Sequence, residues 1–196
     1  PRASRTVPFV AKATGIALAK IAAKVMVGRK LADMGIVEPA IKYVAVKEVL
    51  LPFNKLPGVD TVLGPEMKST GEVMGIDYDF GRAYYKASTA AENTLPTAGN
   101  IFISVTDEQK EEILPIARKL RELGLSLYGT SGTVDFLTQN GVEANLVRKV
   151  QEGSPNVIDI MRSGGIRLII NTPADKASRQ DHIQIMRAAV DYGIPY

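Results

Sequence analysis

Thr130-Ser131-Gly132-Thr133 gathers three hydroxyls and a glycine where an extended segment gives way to a helical one. A helix start carries free backbone N–H groups and the positive end of the peptide dipole. Glycine lets an anion approach that backbone, and the hydroxyls add donors. Small polar residues follow other extended segments too: Ser104, Thr106, Asp107 and Lys110, then Lys149, then Asn171 with Thr172. Lys110 and Lys149 bring counter-charge, so the set suits one phosphate. Ser104 and Asn171 are left to read a ring or a sugar. An ionic hydrogen bond contributes about 1.5–3 kcal/mol; the helix dipole adds about 0.3–1 kcal/mol, up to ~2. Taken singly, each cluster has a plainer reading. Thr-Ser-Gly-Thr is also a capped turn, and each lysine alone is a solvated charge. Convergence of the clusters on one edge is what would make them a site.

No catalytic pairing accompanies them. Asp135, Asp159 and Asp181 stand apart and read as caps or surface charges, and His182 reads as a surface or packing residue rather than a base. A single histidine excludes a polyhistidine metal site, and the absence of cysteine excludes disulfides, thiolate metal sites and cysteine nucleophiles. Lys plus Arg is 24 against 21 Asp plus Glu, a net +3 that is too weak to argue for nucleic-acid binding. No apolar run reaches the roughly 18–20 residues needed to span a membrane. The 196 residues are 45% hydrophobic and 23% charged, which places the chain with globular proteins rather than disordered ones.

The elements that must position these groups follow from periodicity and punctuation. Helices are predicted over Arg5 to Thr14 and Ile16 to Val27, parted by Gly15 and stopped by Gly28. Strands are predicted over Tyr43 to Phe53 and Glu72 to Ile76, and a helix over Asp79 to Asn93. Thr94 to Gly99, with Pro96, reads as a linker. Beyond it the rhythm alternates. Strands are expected over Ile101 to Val105, Leu125 to Tyr128 and Ile166 to Asn171, and Glu143 to Val150 is extended. Helices are expected over Asp107 to Gly124 (with Asp107 as N-cap), Thr133 to Gln139, Val157 to Met161 and Ala177 to Tyr192. Ile194 opens a last strand that is cut short. Such alternation implies α/β architecture with a parallel, doubly wound sheet, whose ligands sit beyond the carboxyl ends of the strands. Beginning at Pro1, the sequence reads as part of something longer.

Four strings go beyond pattern: Pro1 to Gly15, Lys47 to Lys55, Leu63 to Gly75, and Glu152-Gly153-Ser154-Pro155-Asn156. Together they resemble the large chain of carbamoyl phosphate synthetases along essentially the whole length. Residues 1–93 resemble the end of its carbamoyl phosphate-forming ATP-grasp domain, a small α+β tail. Residues 94–99 correspond to a linker. Residues 100–196 resemble its allosteric domain, of methylglyoxal-synthase-like fold, incomplete at the last strand.

The resemblance implies a cytoplasmic ATP-dependent carbon–nitrogen ligase. It makes carbamoyl phosphate from ATP, bicarbonate and glutamine or ammonia, for pyrimidine and arginine synthesis. It implies the rest of the large chain and a glutaminase small subunit as partners, and neither nucleic acid nor membrane. ATP and magnesium or manganese belong to the complete enzyme, with no cofactor and no metal in this stretch. Arg2 matches the arginine of an Asn-Pro-Arg motif at the phosphoryl-transfer site, where a guanidinium neutralises phosphate oxygens. Arg5 matches a neighbouring arginine. The magnesium-binding Glu and Asn of the family precede Pro1, so the stretch alone is expected to be inactive.

Family effector positions match Ser104, Lys110, Thr130, Thr133, Lys149, Asn171 and Thr172. Bacterial members bind UMP and IMP there. Pro173 departs from a common threonine and removes a hydroxyl and an N–H. Glu48, Leu51, Leu63 and Tyr196 match positions near a pocket for ornithine, a further effector. The alternative is a free-standing phosphate lyase of the methylglyoxal synthase type, which needs a carboxylate base beside a phosphate pocket. Those enzymes carry a Gly-Pro-Leu-Gly-Gly-Asp type loop, whereas Glu152-Gly153-Ser154-Pro155-Asn156 lacks the suitably placed Asp.

Overall fold

A computed structural model describes residues 3–55, 61, 63–172 and 176–196. Arg2 and Pro173 lie outside the described residues. The chain divides into two compact units, Pro1–Leu51 with Ser69–Thr94, and Pro52–Lys68 with Leu95–Tyr196. The described residues between 52 and 68, which the sequence reading places with the first part, cluster with the second unit.

In the first unit, α1 (Ala3–Thr14) and α2 (Leu18–Met26) are separated at Gly15, whose φ of +74° breaks the helical path. Strands β1 (Val44–Leu50) and β2 (Gly71–Asp77) pair antiparallel, from Val44 opposite Asp77 to Leu50 opposite Gly71. Helix α3 (Phe80–Ala90) follows, capped by the Asp79 side chain, which accepts the Arg82 N–H at 3.0 Å. Ala83 and Ala87 of α3 are fully buried. Arg5 donates to the Ser69 hydroxyl at 2.7 Å and its carbonyl at 3.3 Å, tying α1 to the approach of β2.

The second unit runs β3 (Asn100–Ser104), α4 (Lys110–Glu122), β4 (Ser126–Gly129), α5 (Ser131–Gln139), β5 (Asn145–Leu146), α6 (Val157–Arg162), β6 (Leu168–Asn171) and α7 (Lys176–Asp191). The strands form one parallel sheet in the order β5-β4-β3-β6. Successive side chains of β3 point to opposite faces. Ile101 and Ile103 meet Ile113 and Ala117 of α4 and Leu137 of α5. Phe102 meets Val157 and Met161 of α6 and Ile185 and Ala189 of α7. Each of these large apolar side chains contributes about 1.5–3 kcal/mol by leaving water. The sheet is therefore covered by helices on both faces, as parallel strands require.

The path starts at β3, steps outward through β4 to β5, then crosses to the other side of β3 to make β6. The direction of winding reverses between β3 and β6, and a crevice opens there beyond the carboxyl ends. The α/β, doubly wound reading of this half holds.

Local details depart from it. The helix expected from Asp107 starts as a 3-10 turn over Asp107–Gln109 and becomes α-helical at Lys110. Thr106 stands at the N-cap of the 3-10 turn and Gln109 at that of α4, neither with a side-chain cap bond, while the Asp107 carboxylate pairs with Lys110. Helix α5 begins at Ser131, two residues before expectation. The extended segment 143–150 contributes only Asn145–Leu146 to the sheet, as an exposed edge strand. No strand forms over 194–196 among the described residues. The Ile169 N–H does donate to the Pro195 carbonyl at 3.0 Å. Proline has no N–H to return, so the ladder goes no further there.

Candidate functional site

A cavity of about 300 Å³ opens in the second unit. Ser104, Lys110, Thr130, Thr133, Lys149, Asn171 and Thr172 all line it. Their meeting is a consequence of topology. Ser104 ends β3 and Asn171 ends β6, and the two are paired in register. Thr130 joins β4 to α5, and Lys110 opens α4.

Hydrogen bonds knit the rim. The Ser104 and Thr130 hydroxyls lie 3.2 Å apart. The Thr133 hydroxyl, 1% exposed, accepts the Val105 N–H at 3.4 Å. The Thr172 hydroxyl accepts the Thr106 N–H at 3.2 Å, and the Thr172 N–H donates to the Ser104 carbonyl at 2.9 Å. The loop leaving β3 is thereby pinned to both α5 and β6. Some of these hydroxyls thus shape the site as well as facing it.

Charge is concentrated at the start of α5. Lys110 Nζ stands 3.6 Å from where a Cβ on Gly132 would lie, and 5.9 Å from the centre of the Phe136 ring. Its side chain is 18% exposed, and its nearest counter-ion is the Asp107 carboxylate at 2.7 Å. The hydrogen bond from Lys110, and then its charge, hold the Asp107 carboxyl below the usual carboxylate range. Asp107 itself is almost wholly in solvent. It occupies Lys110 much as an anion would, so it competes with one. Asp107→Asn is expected to tighten inorganic phosphate about two- to five-fold, measured by calorimetric titration. The depressed folded-state pKa keeps Asp107 ionised above pH 3.8, its ordinary value. The gain should therefore be present at pH 8, where phosphate is mostly the dianion; unchanged affinity would show that Asp107 does not compete.

Asp181 was expected as a cap or surface charge, and the structure corrects this. It is 9% exposed and lines the cavity. Its Oδ1 is buried without a hydrogen-bond partner among the described residues. A lone carboxylate carries no sign of burial in sequence. The available signal was spacing, because Asp181 lies one helical turn before Ile185 on the inward stripe of α7. Phe102, Val157 and Ile185 give the cavity its apolar wall.

Asp135 is exposed, as expected. Asp159 caps α6, accepting the Asn156 N–H at 3.0 Å and the Ser154 hydroxyl at 2.8 Å, which lowers its pKa. His182 does not line the cavity; its Nδ1 lies 2.6 Å from the Tyr196 hydroxyl and 3.4 Å from Asn171 Nδ2. Burial raises the Tyr196 pKa, with a hydrogen bond from Asn171 opposing the shift.

The residues matched to an ornithine pocket divide between the units. Half-buried Glu48, opposite Val73 in the hairpin, and Leu51 belong to the first. Leu63, 64% exposed, and Tyr196 belong to the second. Among the described residues no group of three or more His, Cys, Asp and Glu is placed to hold a metal ion, and no helix is long and apolar enough to cross a membrane.

Residues 112–196 match the MGS-like domain family. The whole chain is 93% identical, over 196 residues, to a carbamoyl phosphate synthase large chain of Methanoculleus marisnigri, covering 19% of that protein. It is 76% identical over 196 residues to the protein of that name from Methanosphaerula palustris, again covering 19%. It is 61% identical over 197 residues to one from Methanosarcina barkeri, covering 50%. The chain thus spans about a fifth of the length of the first two relatives.

Proposed function

Because the chain belongs, over the stretch it spans, to the carbamoyl phosphate synthase large-chain family, we propose that its second unit is an effector-binding domain of such a ligase. The cavity beyond the carboxyl ends of β3, β4 and β6 takes the phosphate of a nucleoside monophosphate such as UMP or IMP. The observation that carries this reading is the meeting of Lys110, Lys149 and the first turn of α5 on one cavity with the hydroxyls of Ser104, Thr130, Thr133 and Thr172. Two cations and a helix N-terminus match a phosphate dianion.

Asp181 adds a demand of its own. A buried carboxylate oxygen without a partner is costly and is relieved by a ligand that donates a hydrogen bond. Phosphate plus donor describes a sugar phosphate. At about 300 Å³ the cavity lies at the small end of ligand sites, which suits a mononucleotide better than a larger molecule.

In the complete protein this unit would regulate synthesis of carbamoyl phosphate from ATP, bicarbonate and glutamine or ammonia, serving pyrimidine and arginine formation in the cytoplasm. The rest of the large chain and a glutaminase subunit are its partners, and ornithine is a further effector. The stretch alone turns over no bicarbonate. Coupling between effector and ATP binding is reciprocal by linkage. Calorimetric titration of the 196-residue chain is the test. UMP or IMP should bind in competition with inorganic phosphate, and more weakly as salt rises. No binding of either nucleotide at millimolar concentration overturns the reading.

Asp181 also favours a second reading. A carboxylate beside a phosphate site is what proton abstraction next to a carbonyl requires. Incubation with dihydroxyacetone phosphate decides between them. Release of methylglyoxal marks a phosphate lyase, and binding without turnover leaves the regulatory reading standing.

A further inference from the structure

The string Glu152-Gly153-Ser154-Pro155-Asn156 follows soon after Lys149, yet none of its residues lines the cavity. Lys149 needs a support that Lys110 does not. Lys110 is mostly shielded and lies over the Phe136 ring. Lys149 is exposed, on extended backbone with φ −64° and ψ 157°, so packing gives its flexible stem little direction. Where its ammonium goes depends on how its backbone is held.

Glu152 holds that backbone at both polar groups. Its Oε2 accepts the Lys149 N–H at 2.9 Å, and its own N–H donates to the Lys149 carbonyl at 3.1 Å. The 3-10 turn between them, Val150–Glu152, packs Val150 against the core of the second unit and sets Gln151 beside it on the cavity. The following residues anchor the turn from behind. Gly153 sits at φ +91° and ψ −176°, a conformation essentially reserved for glycine. Ser154 is tied twice: its hydroxyl donates to the Asp159 carboxylate at 2.8 Å, and its carbonyl accepts from the Arg148 guanidinium at 3.1 Å. Arg148 directly precedes Lys149, so the loop closes on itself at both sides of the cavity lysine.

We infer that Glu152 is a positioning residue whose carboxylate clips the Lys149 backbone so that the ammonium meets the phosphate, with Gly153 and Ser154 keeping the clip in place. This rests on the phosphate reading of the cavity and adds a residue that tunes its affinity from outside it. The clip also predicts a sign that charge alone does not. Glu152 is an exposed anion near an anion site, so by charge alone its removal would tighten phosphate. As a clip, its removal loosens phosphate.

The test is calorimetric titration of the 196-residue chain with inorganic phosphate. Glu152→Ala should weaken binding about five-fold. Glu152→Gln loses the same charge but keeps an acceptor oxygen, and should bind at least as tightly as the original. Gly153→Ala, whose Cβ meets nothing within 4 Å, should weaken binding through its backbone alone. In a Lys149→Ala background, Glu152→Ala should cost nothing further, because the clip acts through the ammonium. Tighter or unchanged binding by Glu152→Ala overturns the inference, and so does equal weakening by Ala and Gln. A loss that persists in the Lys149→Ala background marks a merely structural role and overturns it too. If phosphate does not bind the original chain, the reading of the cavity itself fails and takes this inference with it. If phosphate binds and Glu152→Ala binds it equally well, only this inference fails.

Discussion

Replacing Lys110 and Lys149 together by alanine should lower the affinity for inorganic phosphate about 10²–10³-fold, with little change in thermal melting. Each lysine offers an ionic hydrogen bond of about 1.5–3 kcal/mol, and about 1.4 kcal/mol is tenfold in binding. Neighbouring substitutions do not add in full, so the double variant falls short of the product of the single effects. Lys110 should account for the larger share. Its ammonium is mostly shielded, sits over the first turn of α5 and is steadied by the Phe136 ring. Its loss also frees the Asp107 carboxylate to repel the incoming anion. What survives is the helix N-terminus and its hydroxyls, a residual millimolar-grade site. Neither lysine is part of the apolar clusters that hold the sheet, which is why stability is spared. Isothermal titration of both single variants and the double variant checks this. A double variant that binds phosphate like the original chain would remove the charge argument altogether.

The convergence of the phosphate-facing groups was legible because a doubly wound sheet brings all its carboxyl ends to one edge. Once Ile101 to Val105, Leu125 to Tyr128 and Ile166 to Asn171 are read as parallel strands, whatever follows them must meet. Ser104, Thr130 and Asn171 need no further information to be placed together. Residues whose place depends on a helix face or a rival partner were harder. Asp181 is an acid on the buried stripe of α7, against the ordinary rule that acids face water, so only its distance from Ile185 betrayed it. Asp107 had two uses open to it, capping α4 or pairing with Lys110, and the second won because Lys110 lies one turn ahead and partly shielded. The extended segment 143–150 reads as a strand by composition. An edge strand pairs on one side only, and two residues suffice before the chain turns away. Residues 52–68 carry no long apolar period that would say which unit they join.

The largest effect on stability is expected from Gly75→Ala, in the first unit. Gly75 is a buried residue in the middle of β2, opposite Val46. A Cβ there would stand 2.0 Å from the Ala83 carbonyl oxygen and 2.5 Å from the Ala87 nitrogen. Both atoms are backbone of α3, so no side chain can swing aside. The helix would have to lift off the strand, which exposes Ala83 and Ala87, now fully buried. Glycine inside a strand marks such a close approach. Overpacking costs about 1–3 kcal/mol and occasionally more, and contact with backbone puts this case at the upper end. For a unit of this size each kcal/mol moves the midpoint about 4–8 °C, so a fall of about 12–24 °C is expected in the first unit's transition. The Gly64→Ala control meets nothing within 4 Å and should melt as the original does. Phosphate affinity should be unchanged below the new midpoint, because every residue lining the cavity belongs to the second unit. Calorimetric scanning of both variants decides it. A Gly75→Ala chain that melts within about 2 °C of the original would mean that α3 does not rest on β2 as closely as its two buried alanines require.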